Sequence, residues 1–215
     1  MKNNLFQQFL TYLDLEQKDQ AIGYVLALLE SNELSLEELY LQVLTPSLTG
    51  FVCDVEDHEI CIWKEHIRTS IVRTILEATY PYVIKRKLDV QPLKKKVVVV
   101  CPSEEYHEIG AIIVSLLFAL QGYESMYIGA NTPKHDIISA LKALAPDYIA
   151  LSVTNYYNLV ITKKITDEIK KNFPEIKIIV GGQAFHQLGA LAQVTYDIYL
   201  ENVESIKSIE GAGKL

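Results

Sequence analysis

KVVVVCPSEEYHEIGAIIVSLLFALQG, residues 96–122, changes its hydrophobic period partway along, and that change decides the fold. The stretch opens with four consecutive valines and no polar alternation, the composition of a short strand buried on both faces. It closes with IGAIIVSLLFALQG, which has the length and apolar stripe of a helix. The same unit recurs downstream. ESMYIG (124–129), YIALSV (148–153) and IKIIVGG (176–182) read as strands, with TPKHDIISALKALA (132–145) and YNLVITKKITDEIKKNF (157–173) as helices between them. Thr132 and Pro133 have the chemistry of a helix cap and first helical residue. Strand and helix in alternation predict right-handed βαβ crossovers and an open parallel sheet, with any ligand in the crevice beyond the carboxyl ends of the strands.

Upstream of this region the apolar period is helical. LFQQFLTYL, AIGYVLALLE and SLEELYLQVLTPSL repeat at helical spacing, and Ser35 followed by Glu38 reads as a capping box. A long pattern over residues 59–87 runs out in the polar, proline-containing LDVQPLKK. The chain is therefore read as a bundle of four to five helices over residues 1–88, followed by an α/β domain over residues 89–215.

Composition narrows the function. Of 215 residues 49% are hydrophobic and 22% charged, which is the balance of an ordered globular protein. A net charge of -7 would repel a phosphate backbone, so direct nucleic-acid binding is not expected. Cys53, Cys61 and Cys101 are odd in number and form no C-x-x-C pair, so neither a disulfide framework nor a thiolate zinc site is expected. No apolar run reaches membrane-spanning length and no secretory leader is evident, so a cytoplasmic location and no membrane partner are expected.

The turn between the first strand and the first helix of the α/β half holds SEEYHEIG. It lacks both glycine-rich phosphate signatures, so dinucleotide and P-loop readings fail on the residues themselves. It offers an imidazole instead. His107 lies two residues from Glu105, whose carboxylate can accept one ring N–H and fix the tautomer of the other nitrogen for a metal. Gly110 follows, then Ser152 and Thr154 in SVT, then Gly181 and Gly182, all at the expected carboxyl ends of parallel strands.

The pattern Asp/Glu-x-His-x-x-Gly, then Ser-x-(Thr/Val/Leu), then Gly-Gly, which this chain follows with Thr154, resembles that of cobalamin-binding domains. The resemblance implies a Rossmann-like (flavodoxin-like) domain that binds cobalamin with its benzimidazole off the cobalt and a protein histidine on. His107 would be the lower axial cobalt ligand, and Glu105 would hold its other nitrogen. Ser152 would hydrogen-bond the buried benzimidazole, with Thr154 beside it. Gly110, Gly181 and Gly182 would let the corrin edge and nucleotide tail approach. The helical half resembles the cap of MerR-type light-sensing cobalamin regulators, in which a tryptophan stands ten residues before a Glu-His pair. Glu65 and His66 match that pair, with His66 as an upper cobalt ligand, whereas the tryptophan position is Val55. Trp63, Tyr80 and Tyr82 are read as bundle packing. No N-terminal helix-turn-helix is expected, since the helical pattern begins within a few residues of Met1.

Taken together, the resemblance implies a stand-alone cobalamin sensor that answers a change of upper ligand and signals to a partner protein, with self-association left open. The bound form would be adenosyl-, methyl- or hydroxocobalamin. The alternative is a corrinoid carrier serving a methyltransferase. Against it, carriers follow the histidine motif with Lys-Asn, where this chain has Ala111 and Ile112. Neither reading assigns the chain catalytic residues of its own.

Overall fold

The computed structural model describes residues 2–53 and 58–209. Val55, the position of the expected tryptophan, lies outside the described residues. The chain divides into two compact units, Met1–Arg86 and Lys87–Leu215.

The first unit is helical: α1 (Lys2–Asp14), α2 (Lys18–Glu30), α3 (Leu36–Glu38), α4 (Thr45–Thr49) and α5 (His58–Lys87). Ser35 and Glu38 form the expected reciprocal box at the start of α3. Between α3 and α4 the backbone widens into a π-helical turn over Leu39–Leu44. Pro46 supplies the cause, since an α-helical turn would drive its ring into a carbonyl four residues back. Phe9, Val25, Leu39, Leu44, Val72 and Ile75 form the core of this unit. Within it Tyr40 is fully buried, its hydroxyl 3.3 Å from Thr79 Oγ1, and burial pushes its pKa up to about 12.

Arg68 of α5 is buried, donates to Asp14 and to Ser47 O (3.2 Å), and lies over the Phe51 ring at 4.5 Å. Two expectations for this unit are corrected. Cys53 and Cys61 form a disulfide, with Cα atoms 5.7 Å apart, leaving Cys101 as a free thiol. Cysteine count and C-x-x-C spacing carry no information about a pair eight residues apart that the start of α5 brings together. Trp63 and Tyr80 are also exposed and do not pack inside the bundle.

The second unit is the α/β fold: β1 (Lys96–Pro102), α6 (Ile109–Leu120), β2 (Glu124–Thr132), α7 (Lys134–Leu144), β3 (Tyr148–Ser152), α8 (Leu159–Asn172), β4 (Lys177–Gly181) and β5 (Ile198–Leu200). All pairings are parallel, in the order β2-β1-β3-β4-β5. β1 is central, and Val97 to Val100 have no exposed surface. Val100, Leu151 and Val180 pack with Ile137 and Leu141 of α7 and with Ile165 and Ile169 of α8. By the two-residue period of a strand, Cys101 and Ser152 therefore face the α6 side. Thr132 ends β2 and does not cap α7, which begins after Pro133. The strand order reverses between β1 and β3, and at such a switch point the loops leaving two adjacent strands diverge to opposite faces and open a crevice.

Candidate functional site

The loops after β1 and β3 meet at that switch point, and Glu105 joins them. Its side chain is fully buried, yet its carboxylate has five donors. Oε2 accepts from Thr154 N (2.8 Å), Asn155 N (2.9 Å) and Asn158 Nδ2 (3.2 Å), and Oε1 from His107 N (3.1 Å) and His107 Nδ1 (2.6 Å). Burial opposes ionisation, but the N–H groups of Asn155, His107 and Thr154 outweigh it and hold the carboxyl below the usual range. An ionised carboxylate can only accept, so the short contact places the proton on His107 Nδ1. Nε2 is then the nitrogen with a lone pair. The imidazole is 59% exposed, so a buried anion fixes the orientation of a ligand nitrogen that faces outward.

The loop carrying this pair is tied down from β2. Asn131 Oδ1 accepts from Glu104 N (2.8 Å), and Asn131 N donates to Glu105 O (2.9 Å). Glu104 is held in the left-handed region at φ 65°, which places the Glu105 side chain inward. Asn158, buried at the start of α8, donates to Glu104 O (3.1 Å) as well as to Glu105. Nothing local marks Asn158 or Asn131 in the sequence, because their partners lie 53 and 27 residues away.

A polar cluster lies beside the pair on the α6 side of the sheet. Tyr127 Oη donates to Glu108 Oε2 (2.6 Å), so Glu108 serves a strand residue across the loop in addition to starting α6. The Cys101 thiol reaches His107 O (3.9 Å) and makes hydrogen-bond contacts with Tyr127 and Ser152. Burial, then the neighbouring Glu105 charge, pushes this thiol up to about 12, so it stays protonated. Burial and the bond to Glu108 likewise raise Tyr127.

Glu105, His107, Ser152 and the backbone of Thr154 thus share one crevice. Gly110 lies next to it, and a Cβ there would point into open space. The glycine pair behaves differently. A Cβ on Gly181 would stand 3.2 Å from Leu200 O, and one on Gly182 would stand 2.4 Å from Val153 O, so the chain's own backbone uses that room. Glu65 and His66 are exposed on α5 in the helical unit.

The donor set can be tested against a metal. Among the described residues no group of three His, Cys, Asp or Glu side chains could hold an ion. One oriented imidazole nitrogen cannot chelate a free cation, but it suffices for a metal whose equatorial ligands come from a macrocycle, and open space at Gly110 leaves room at the edge of the site. The residues present fit a corrinoid.

Comparison with known proteins points the same way. Residues 95–205 match the family described as the B12 binding domain. The HTH-type transcriptional repressor CarA of Myxococcus xanthus is 27% identical over 89 residues, 41% of this chain and 29% of the repressor. The aligned part is thus less than a third of that curated relative's length. Among solved structures, the monomethylamine corrinoid protein of Methanosarcina barkeri superposes with a TM-score of 0.81 at 12% identity over 98% of each chain. A cobalamin-binding protein from Desulfitobacterium hafniense DCB-2 gives 0.53 at 16% identity, covering 98% of this chain and 90% of that one. The methanol:cobalamin methyltransferase complex MtaBC from Methanosarcina barkeri gives 0.51 at 17%, covering 99% and 80%. At these identities the structural likeness establishes the fold alone. No helix among the described residues is long and apolar enough to cross a membrane.

Proposed function

We propose, from the premise that this chain belongs to the B12-binding domain family, that it binds a corrinoid with His107 as the lower axial ligand of cobalt. The observation that carries the reading is the Glu105–His107 contact at the switch point, which leaves Nε2 presented outward. When bound, the corrinoid supplies a cobalt whose upper axial position can exchange ligands. The chain's residues do the rest. Glu105 keeps the proton on Nδ1 and strengthens Nε2 as a donor, Thr154 and Asn155 N–H groups hold Glu105 ionised, and Gly110 leaves the edge open.

The finer role we propose is that of a sensor that passes upper-ligand change to a protein partner, with exposed His66 as the upper-face candidate and adenosyl-, methyl- or hydroxocobalamin as the bound form. Residue-level similarity to the CarA repressor supports it. A corrinoid carrier for a methyltransferase is the second reading, favoured by the superposition with a monomethylamine corrinoid protein along nearly all of both chains.

Reconstitution with hydroxo-, methyl- and adenosylcobalamin, followed by absorption spectroscopy of the separated protein, tests the common premise. A bound corrinoid with a histidine-ligated spectrum is expected, and His107→Ala should lose that spectrum. No retained corrinoid overturns the proposal, and an unchanged spectrum in His107→Ala removes that ligand. For the role, illumination of the adenosyl or methyl form should change hydrodynamic size or partner binding. A protein inert to light but demethylated by an added methyltransferase is a carrier.

A further inference from the structure

Ser152, the residue assigned above to the nucleotide tail, is not waiting with a free hydroxyl. Its hydroxyl contacts the Cys101 sulfur, which also contacts Tyr127, whose phenol is bound at 2.6 Å to Glu108. These groups come from three adjacent strands and the start of α6 and lie on one face of the sheet. Each therefore has a partner within the set. An acceptor arriving at Ser152 competes with the Cys101 sulfur for its O–H, and the tie between Tyr127 and a carboxylate is the strongest in the set.

We propose that Tyr127 selects among corrinoids by their lower nucleotide: its bond to Glu108 latches the space over Cys101 and Ser152, and a nucleotide tail enters by breaking that bond. The inference rests on the corrinoid-binding reading above. A corrinoid without a nucleotide reaches His107 without opening the latch. Tyr127 makes no direct hydrogen bond to Glu105 or His107, and Cys101, which reaches His107 O, is the link between them.

Tyr127→Phe keeps the ring and removes the latch. Stopped-flow absorbance would follow association of aquocobalamin, which has the nucleotide, and of diaquocobinamide, which lacks it, with the wild type, Tyr127→Phe and Glu108→Gln. Association of aquocobalamin should be about ten-fold faster in Tyr127→Phe, the effect of losing one hydrogen bond to a charged group, and faster by less in Glu108→Gln, whose amide oxygen still accepts from the phenol without the charge. Diaquocobinamide should associate at an unchanged rate, which also shows that the variants are folded. Equal changes for both corrinoids, or none for either, overturn the latch and leave the proposed function standing. A wild type that binds neither corrinoid overturns both.

Discussion

Two glycines that look alike in the sequence differ at the residue scale. Gly182 has φ 107°, and a Cβ there would meet Val153 O at 2.4 Å, so Gly182→Ala should cost about 3 kcal/mol or more in urea unfolding. Gly110 is in the first turn of α6 beside open space, so Gly110→Ala should stabilise the helix by up to about 1 kcal/mol while weakening corrinoid binding. Equal loss of stability in the two variants would contradict this division. Asn158→Ala deprives both Glu104 O and Glu105 of a buried donor. About 1–3 kcal/mol should be lost, with a shift in the spectrum of any histidine-ligated corrinoid. A destabilised variant with an unaltered spectrum would confine Asn158 to the fold. Glu105 and His107 were readable because their contact spans two residues. Asn158 and Tyr127 were not, since only the folded loops bring them to partners 53 and 19 residues away.

At the scale of elements, β1, β3 and β4 were legible because burial on both faces demands unbroken apolar runs. β5 was not, since Ile198–Leu200 is three residues long and pairs only with β4. Pairing with a finished sheet makes it a strand, and its own pattern does not. The π turn before Pro46 was hidden for a similar reason, because one inserted residue leaves the helical apolar period nearly intact. The Cys53–Cys61 disulfide closes a short loop between α4 and α5, and loop-closure entropy for that span gives roughly 2–3 kcal/mol. Cys53→Ser with Cys61→Ser should therefore lower the unfolding temperature of the helical unit, read by the emission of Trp63, the single tryptophan. A melting curve identical in the oxidised, reduced and doubly substituted proteins would show that the bridge contributes nothing.

For the whole molecule, acid should loosen the α/β unit. Three of its carboxyls, Glu105, Asp147 and Asp167, are held below their ordinary range. Asp147 shows the mechanism. Burial raises its pKa, but hydrogen bonds from Lys95 Nζ and Lys96 N, both 2.8 Å, outweigh it and tie the start of β1 to the residue before β3. Asp167 is lowered by Lys163 and Thr195. A carboxyl with a depressed folded pKa adds stability that is complete above its unfolded value and disappears as pH falls through the folded one. The α/β unit therefore loses stability on acidification from the ordinary carboxyl range downward. Hydrogen exchange of the amides in Val97–Val100 reports this unit. Their protection should fall as pH drops through that range, and Asp147→Asn should be less stable at neutral pH with a flatter acid limb. An acid limb unchanged in Asp147→Asn would show that acid stability is governed elsewhere.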